Sequence, residues 1–219
     1  MRVLDLGYGT GSSTIAWVEH GHQVVGVDWE SKHNATITGD YFSTNIWERI
    51  LDHGPYDFVW ASPDCRLHSL SGSLPWEYRN GILHPTTEEA SLEQDNLFWL
   101  VRQIQALKVP FVIENPVGMM SKQWFMKPLH KVKISLCQYG ANVMKPTHLM
   151  GDIPAHFRPL FCGNGRSCHE AAPRSSKTGT QGLEDAETRA MMPYGLSMAI
   201  YQAFLTSNGQ TYSRLSDFI

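Results

Sequence analysis

The 219-residue chain is notable first for what it has little of. No run approaches the roughly 18 consecutive apolar residues of a membrane span, so no membrane association is expected. The opening Met1-Arg2-Val3-Leu4-Asp5 enters a strand pattern at once, with no signal or transit segment, which predicts a cytoplasmic protein. Cysteine is scarce: Cys65, Cys137, Cys162 and Cys168 are unevenly spaced, which argues against a disulfide framework and for reduced thiols. Net charge is small, −3, but it conceals an asymmetry. Residues 1–119 hold 7 Lys/Arg against 15 Asp/Glu, whereas residues 120–180 hold 9 against 2. A basic second half is the footprint of a polyanionic partner, although a merely solvated basic face gives the same count. Length allows one large domain, and 42% hydrophobic residues with seven Trp are ample for its core.

What is present begins with Arg2 to Leu6, a short apolar strand, followed by Asp5-Leu6-Gly7-Tyr8-Gly9-Thr10-Gly11-Ser12-Ser13 and a helix from Thr14 to His20. Glycines at alternate positions let the backbone turn tightly and approach a ligand, and the strand-before, helix-after context strengthens a signal that is weak alone. Gln23 to Val27 is a second strand, ending in Asp28-Trp29-Glu30. An acid about 20 residues beyond the glycine loop is placed to accept from ribose hydroxyls. Trp29 beside it is a platform for adenine, against the plainer reading of a core aromatic. A third strand, Ala35 to Thr38, ends in Gly39-Asp40-Tyr41. Three successive strands with such ends describe a nucleoside site, and the loop lacks the lysine of a phosphate-binding P-loop. These motifs resemble those of class I S-adenosylmethionine-dependent methyltransferases. The resemblance implies a Rossmann-like α/β fold with a mostly parallel sheet, helices on both faces and a small irregular recognition segment. It also implies S-adenosylmethionine as cofactor.

Phe42 to His53 reads as helix and Tyr56 to Ala61 as a buried strand that runs into Ser62-Pro63-Asp64-Cys65. Pro63 cannot continue a central strand, so Cys65 falls on the loop at its carboxyl end, where open α/β sheets bind ligands. Cys65 is a candidate nucleophile there; the plainer reading is a small loop hydrophobe. Residues 66–86 form a long Ser/Gly/Pro-rich loop, Thr87 to Leu107 the longest helix, and Val109 to Ile113 a strand ending in Glu114-Asn115-Pro116. With that second strand end the resemblance narrows to the DNA cytosine-C5 methyltransferases, in compact form as in bacteriophage genomes. Pro63-Asp64-Cys65 matches their nucleophile motif and Glu114-Asn115-Pro116 their glutamate motif. The chemistry explains the pair: C5 of cytosine is a poor nucleophile until a thiolate adds at C6, and a carboxyl that donates to N3 eases that addition. The resemblance departs at three places. Asp64 intervenes between Pro63 and Cys65, Gln138 stands without its usual arginines, and Gly195-Leu196-Ser197 lacks the usual asparagine.

The expected catalytic residues are Cys65, Glu114 and Asn115. The expected cofactor contacts are Asp5, Gly7, Tyr8, Gly9, Thr10, Gly11, Asp28, Trp29, Asp40, Tyr41, Pro63 and Ser197. Substrate or DNA contacts are expected from Arg66, Ser69, Trp76, Arg79, Gln138, Lys145, Thr147, Arg174, Lys177 and Gln181, with Trp76 and Arg79 candidates for filling the gap left by a flipped base. The expected partner is DNA, double-stranded with a flipped cytosine, bound by a monomer in a prokaryotic or phage-infected cell. Residues 1–150 are read as catalytic domain, 151–183 as a reduced target-recognition segment, 184–206 as a helix returning to the catalytic domain, and 207–219 as tail. Cys162, Cys168 and His169, with Cys137 or His148, are a candidate zinc set, but the spacing follows no standard pattern. Free thiols and a DNA-contacting histidine are the preferred reading, and no metal is expected. Two alternatives stay open: the same mechanism with a modified sulfonium donor or a free pyrimidine nucleotide, and a catalytically silent nucleic-acid-binding module.

Overall fold

The computed structural model describes residues 1–69, 74–163, 166–170 and 186–207. Apolar residues alternate faces along each central strand, and that alternation builds two cores. β1 (Arg2–Leu6), β2 (Gln23–Asp28), β3 (Ile37–Thr38), β4 (Phe58–Ala61) and β7 (Phe111–Pro116) run parallel. β9 (Pro146–Gly151) pairs antiparallel with β7, and β8 (Lys131–Ser135) antiparallel with β9. The sheet order is β3-β2-β1-β4-β7-β9-β8. Leu4, Leu6, Val59, Ala61, Phe111 and Ile113 face one side and pack against α2 (Thr44–Asp52) and α3 (Glu88–Ala106). Val3, Phe58, Trp60 and Val112 face the other, against α1 (Ile15–Glu19) and α5 (Tyr194–Thr206). A strand buried on both faces reads as a near-continuous apolar run, as these do. The fold is therefore the expected α/β arrangement, a mostly parallel sheet with helices on both faces.

Connections leave β1 toward β2 and β3 on one side and β4 toward β7 on the other. The strand order reverses between β1 and β4, and ligands of open α/β sheets bind at the carboxyl ends beside such a point. Both motif-bearing loops, 7–11 and 62–65, emerge there. α3 starts where the sequence placed it, with Thr87 as N-cap accepting from the Ala90 N–H at 3.2 Å.

Four sequence expectations differ from the structure. The loop at 66–86 contains a hairpin, β5 (Trp76–Arg79) with β6 (Ile82–Pro85), turned by Asn80 and Gly81 at φ 51° and 77°. Two left-handed residues in an Asn-Gly pair are the turn that matches strand twist. β7 does not stop before Glu114 but continues to Pro116, because β9 extends the ladder through Asn115↔His148 and Pro116↔Thr147. β9 itself was unforeseen; Pro146 stands at its first position, where a missing N–H is tolerated. The last helical region is broken into α4 (Ala186–Ala190) and α5, with Pro193 at the N-cap of the second. Of the segment read as target recognition, Ile153 and Phe157 are buried in the core under α5. No described helix is long and apolar enough to cross a membrane.

Trp17 anchors the α5 side, stacked on Phe58 at 5.4 Å and edge-on to Tyr201 at 5.5 Å, with its indole N–H buried and unpartnered among the described residues. Trp17→Ala is expected to cost about 3–5 kcal/mol in urea unfolding. Trp17→Phe, which keeps the stack and removes the orphaned donor, is expected to lose far less.

Candidate active site

The site is assembled by register. Leu6 pairs with Ala61, and Ala61 with Ile113, so the three strands end level with one another. The Ser62 N–H donates to Leu6 O at 2.8 Å, continuing the ladder one step past β4. Gly7 (φ 76°) allows this approach: a Cβ there would lie 2.5 Å from the Ser62 carbonyl. One strand over, the Asn115 side-chain amide donates to the Pro63 carbonyl at 2.9 Å, in buried surroundings. Cys65 then opens a turn whose carbonyl accepts from the His68 and Ser69 N–H groups at 3.0 and 2.8 Å. Asp64 acquires a role that sequence reasoning missed. Its carboxylate accepts from the Arg66 N–H at 2.9 Å and so fixes the turn that presents Cys65.

Glu114 is buried within β7, with Oε1 unpartnered among the described residues. Burial raises its pKa, against the opposing pull of Lys145 and a hydrogen bond from Ser62. The Ser62 hydroxyl is in turn held by the Trp60 indole N–H at 2.8 Å. Burial likewise pushes the Cys65 thiol up; Lys145 opposes this, while Glu114 and Asp64 add to it. Lys145 is itself buried, its ammonium donating to the Arg189 carbonyl at 3.1 Å. Cys65, Glu114 and Lys145 thus form one electrostatic unit.

His68 was not foreseen. Fully buried three residues after Cys65, it stacks on Trp76 at 5.0 Å and lies 3.8 Å from a Glu93 carboxylate oxygen. Burial drives His68 down to about 4 and Glu93 up to about 7, so the contact is not an ion pair at neutral pH. The Trp76 indole donates to the Leu67 carbonyl at 2.6 Å, so this ring, read as a candidate gap-filler, packs the floor of the Cys65 loop. Gly118 abuts the same loop: a Cβ there would fall 2.1 Å from the His68 carbonyl.

At the glycine loop, Gly7 and Tyr8 N–H groups both donate to Val27 O. Asp28 accepts from the Gly9 N–H and the Glu30 N–H at 2.8 Å each, which ties the loop to the end of β2. Asp5 is fully buried; one oxygen accepts from Ser13 and Thr14 hydroxyls at 2.7 Å each and the other has no partner among the described residues. Thr10 and Asp40 are exposed, and Trp29 is 70% exposed, which removes it from the core. Asp40 accepts from the Phe42 N–H, and Tyr41 is buried with its carbonyl accepting from the Trp47 indole. Ser197 faces α1: its hydroxyl accepts from the Ala16 N–H at 3.1 Å, a contact that ties helix to helix.

The remaining candidates scatter. Arg66 pairs with Glu89 at 2.8 Å, Arg79 with Glu77, and Ser69 bridges to Gly118. Thr147 is buried in β9, its hydroxyl donating to Lys145 O. Gln138 donates to Cys168 Sγ at 3.2 Å, beside Cys137, Cys162 and His169, whereas His148 stays on β9 outside that group. Arg174, Lys177 and Gln181 lie outside the described residues.

Two predictions follow from these electrostatics. Asp64→Asn keeps the turn acceptor and removes a charge that disfavours the thiolate; Lys145→Met removes the charge that favours it. Iodoacetamide alkylation of Cys65, followed against pH by mass spectrometry, is expected to shift to lower pH in the first variant and to higher pH in the second. Burial raises Asp5 from 3.8 to about 7. A carboxyl with a raised folded pKa stabilises the fold fully below its unfolded value, and that contribution is lost as pH climbs toward the folded one. Wild-type melting temperature is therefore expected to carry a declining component between pH 4 and pH 7 that Asp5→Asn lacks.

No family model matches the chain. It is 30% identical over 177 residues to the Probable DNA (cytosine-5)-methyltransferase of Frog virus 3 (isolate Goorha), covering 77% of this chain and 78% of the viral one. Among solved structures it is similar to the Entamoeba histolytica methyltransferase EhMeth (10% identity, TM-score 0.48, covering 74% of this chain and 57% of that one). It is also similar to the S. pombe Dnmt2 methyltransferase (17% identity, TM-score 0.43, covering 75% and 52%). The chain spans about half the length of these two structures, and at such identities the likeness carries no argument beyond itself. The viral relative, matched over more than three quarters of both chains, decides the assignment: this chain belongs to the DNA cytosine-5 methyltransferase family.

Proposed function

We propose that the chain transfers a methyl group from S-adenosylmethionine to C5 of cytosine in DNA, through a covalent bond between Cys65 and C6. The observation that carries this reading is the bond from the Asn115 amide to the Pro63 carbonyl, which locks the thiol-bearing and carboxyl-bearing strand ends side by side. The Cys65 thiol gives up its proton to solvent, and the thiolate Sγ adds to C6. Glu114, whose burial favours the protonated form, donates to N3 and offsets the charge that this addition places on the ring. The ring so formed has an enamine-like C5. S-adenosylmethionine supplies an electrophilic methyl on a sulfonium centre. Once C5 carries the methyl and S-adenosylhomocysteine is left as product, loss of the C5 proton to water, return of the N3 proton to Glu114 and departure of Cys65 Sγ from C6 restore the ring, and the thiolate takes up a proton from solvent.

The cofactor's side fits the residues present. The orphaned buried oxygen of Asp5 suits an ammonium or hydroxyl donor, and the exposed Trp29 ring suits a flat base. Asp28, with both oxygens already holding backbone N–H groups, shapes the loop as well as offering acceptor lone pairs to a ribose. The DNA side rests on charge: nine Lys/Arg against two Asp/Glu over residues 120–180. In a duplex the cytosine must be flipped to reach the half-buried Cys65 and the buried Glu114, at a cost of a few kcal/mol that phosphate contacts offset. Residues 1–150 act as the catalytic domain and 151–183 as a reduced recognition segment.

Trapping on 5-fluorocytosine DNA is the test, because fluorine at C5 blocks the final proton loss and leaves the adduct in place. With S-adenosylmethionine present, a denaturant-resistant protein–DNA species is expected for the wild type and none for Cys65→Ser. Glu114→Gln is expected to slow methyl transfer roughly 100- to 10,000-fold with tritiated cofactor. A Cys65→Ser protein that still methylates C5 overturns the mechanism.

A further inference from the structure

Away from Cys65, three cysteines and a histidine converge from distant parts of the chain. Cys137 lies in the single turn after β8, Cys162 in the strap that follows β9, and Cys168 and His169 in the next turn. Cys162 Sγ is 3.3 Å from Cys168 Sγ and 3.7 Å from His169 Nδ1; Cys168 Sγ is 3.9 Å from Cys137 Sγ and 3.5 Å from His169 Nδ1. All four donor atoms lie within 4.8 Å of one another. A tetrahedral zinc with Zn–S near 2.3 Å and Zn–N near 2.0 Å requires S···S edges of about 3.8 Å and S···N edges of about 3.5 Å. The observed separations bracket those values. A disulfide would require about 2.0 Å between two of the sulfurs, and a chance meeting of thiols has no reason to add an imidazole nitrogen at the fourth corner.

We infer that Cys137, Cys162, Cys168 and the Nδ1 of His169 form a closed, structural zinc site that pins the strap after β9 to the turn after β8. Four protein ligands leave no position for water or substrate, which separates a structural from a catalytic zinc. Three soft sulfurs and one imidazole in tetrahedral array select zinc over hard cations. Binding deprotonates three thiols, releases three protons and leaves the His169 proton on Nε2; no electron moves. The surroundings already support the ligands. The Gln138 amide donates to Cys168 Sγ at 3.2 Å, and the Cys162 N–H donates to the Ser135 hydroxyl at 3.1 Å. The Glu170 N–H donates to Asn142 O at 2.9 Å, and Val143 bridges Glu170, so the clamp continues along the loop that ends at Lys145. The metal thereby steadies the segment carrying the buried ammonium of Lys145, a structural role additional to methyl transfer.

The full chain, produced in zinc-supplemented medium and purified without metal-affinity steps, is expected to carry zinc at about one ion per chain by plasma mass spectrometry. Cobalt(II) in its place is expected to give intense visible bands of a tetrahedral site together with sulfur-to-cobalt charge transfer. Cys168→Ser alters an exposed ligand and is expected to lower retained zinc at least about tenfold, whereas His148→Ala retains the wild-type content. Cys65→Ser keeps its zinc, so failure of the methyl-transfer mechanism and failure of this site are distinguishable. Wild-type protein without zinc after supplementation overturns the proposal. So does unchanged zinc in a Cys168→Ser/His169→Ala double variant, or a Cys162–Cys168 disulfide in anaerobically isolated protein. The wild-type measurements decide the matter even if a variant fails to fold.

Discussion

A single buried hydrogen bond, from the Asn115 amide to the carbonyl of Pro63, sets the geometry on which the site depends. β4 and β7 are parallel and share no turn, so nothing local holds their carboxyl ends together. The ladder stops at Ala61↔Ile113. Beyond it the chains would diverge: Pro63 has no N–H to offer, and β7 turns its next pairing to β9. Asn115 bridges that gap with a side chain in place of the missing backbone donor. The net worth of one such bond is about 1 kcal/mol, but losing the amide would strand a buried carbonyl, which costs about 1–3 kcal/mol more. Neither figure decides the fold. What depends on it is whether the loop bearing Cys65 stays against the strand bearing Glu114.

The remainder of the Cys65 loop is held from below by groups with no chemistry of their own. His68 and Trp76 stack, and Gly118 lets the chain after β7 come against the His68 carbonyl, where the Met119 N–H donates at 2.8 Å. Asp64 completes the turn from the solvent side. The thiol is thus positioned by contacts from β4, β7 and the β5–β6 hairpin together. Such convergence is what a reacting group needs if its own rotamers are to be restricted.

What the sequence made legible was local. Apolar runs located β1, β2 and β4; the glycine loop, the start of α3 near Thr87 and the level of Cys65 past Pro63 were readable because each is decided within a few residues. What it hid was decided at a distance. β9 has an unremarkable sequence, Pro146–Gly151, and exists because β7 and β8 both offer it an edge. Glu114 lies inside a strand for the same reason. The Asn80-Gly81 turn was a local signal passed over within a Ser/Gly/Pro-rich stretch. Trp76, attractive as an insertion wedge because it sits in that stretch, is held by His68 and Leu67, neither identifiable from spacing. The cysteine cluster was legible only in part: Cys162, Cys168 and His169 stood out as a set, but spacing left its remaining member open between Cys137 and His148. Its first member, Cys137, lies 25 residues before the second in sequence but within 4.8 Å in space.

The charges at the site pull in opposite directions, and the balance says what state the thiol rests in. Burial and two carboxyl groups, Glu114 and Asp64, favour Cys65 as the thiol; the Lys145 charge and, more weakly, a backbone hydrogen bond favour the thiolate. Lys145 cannot be traded for a surface lysine in this role, since it is buried and held by the Arg189 carbonyl, where its field is little screened by salt. The same ammonium also opposes the rise in the Glu114 pKa, so strengthening it to make a better nucleophile would make a poorer proton donor. A single cation acting on both groups is a compromise: it favours the thiolate at Cys65 and, by the same field, opposes the protonation of Glu114 that burial promotes. The thiolate is also the form that oxidants attack. Burial favours the acid form at both groups, with opposite consequences: the acid form of Glu114 is the one that can donate to N3, whereas the Cys65 thiol must first lose its proton before Sγ can add to C6.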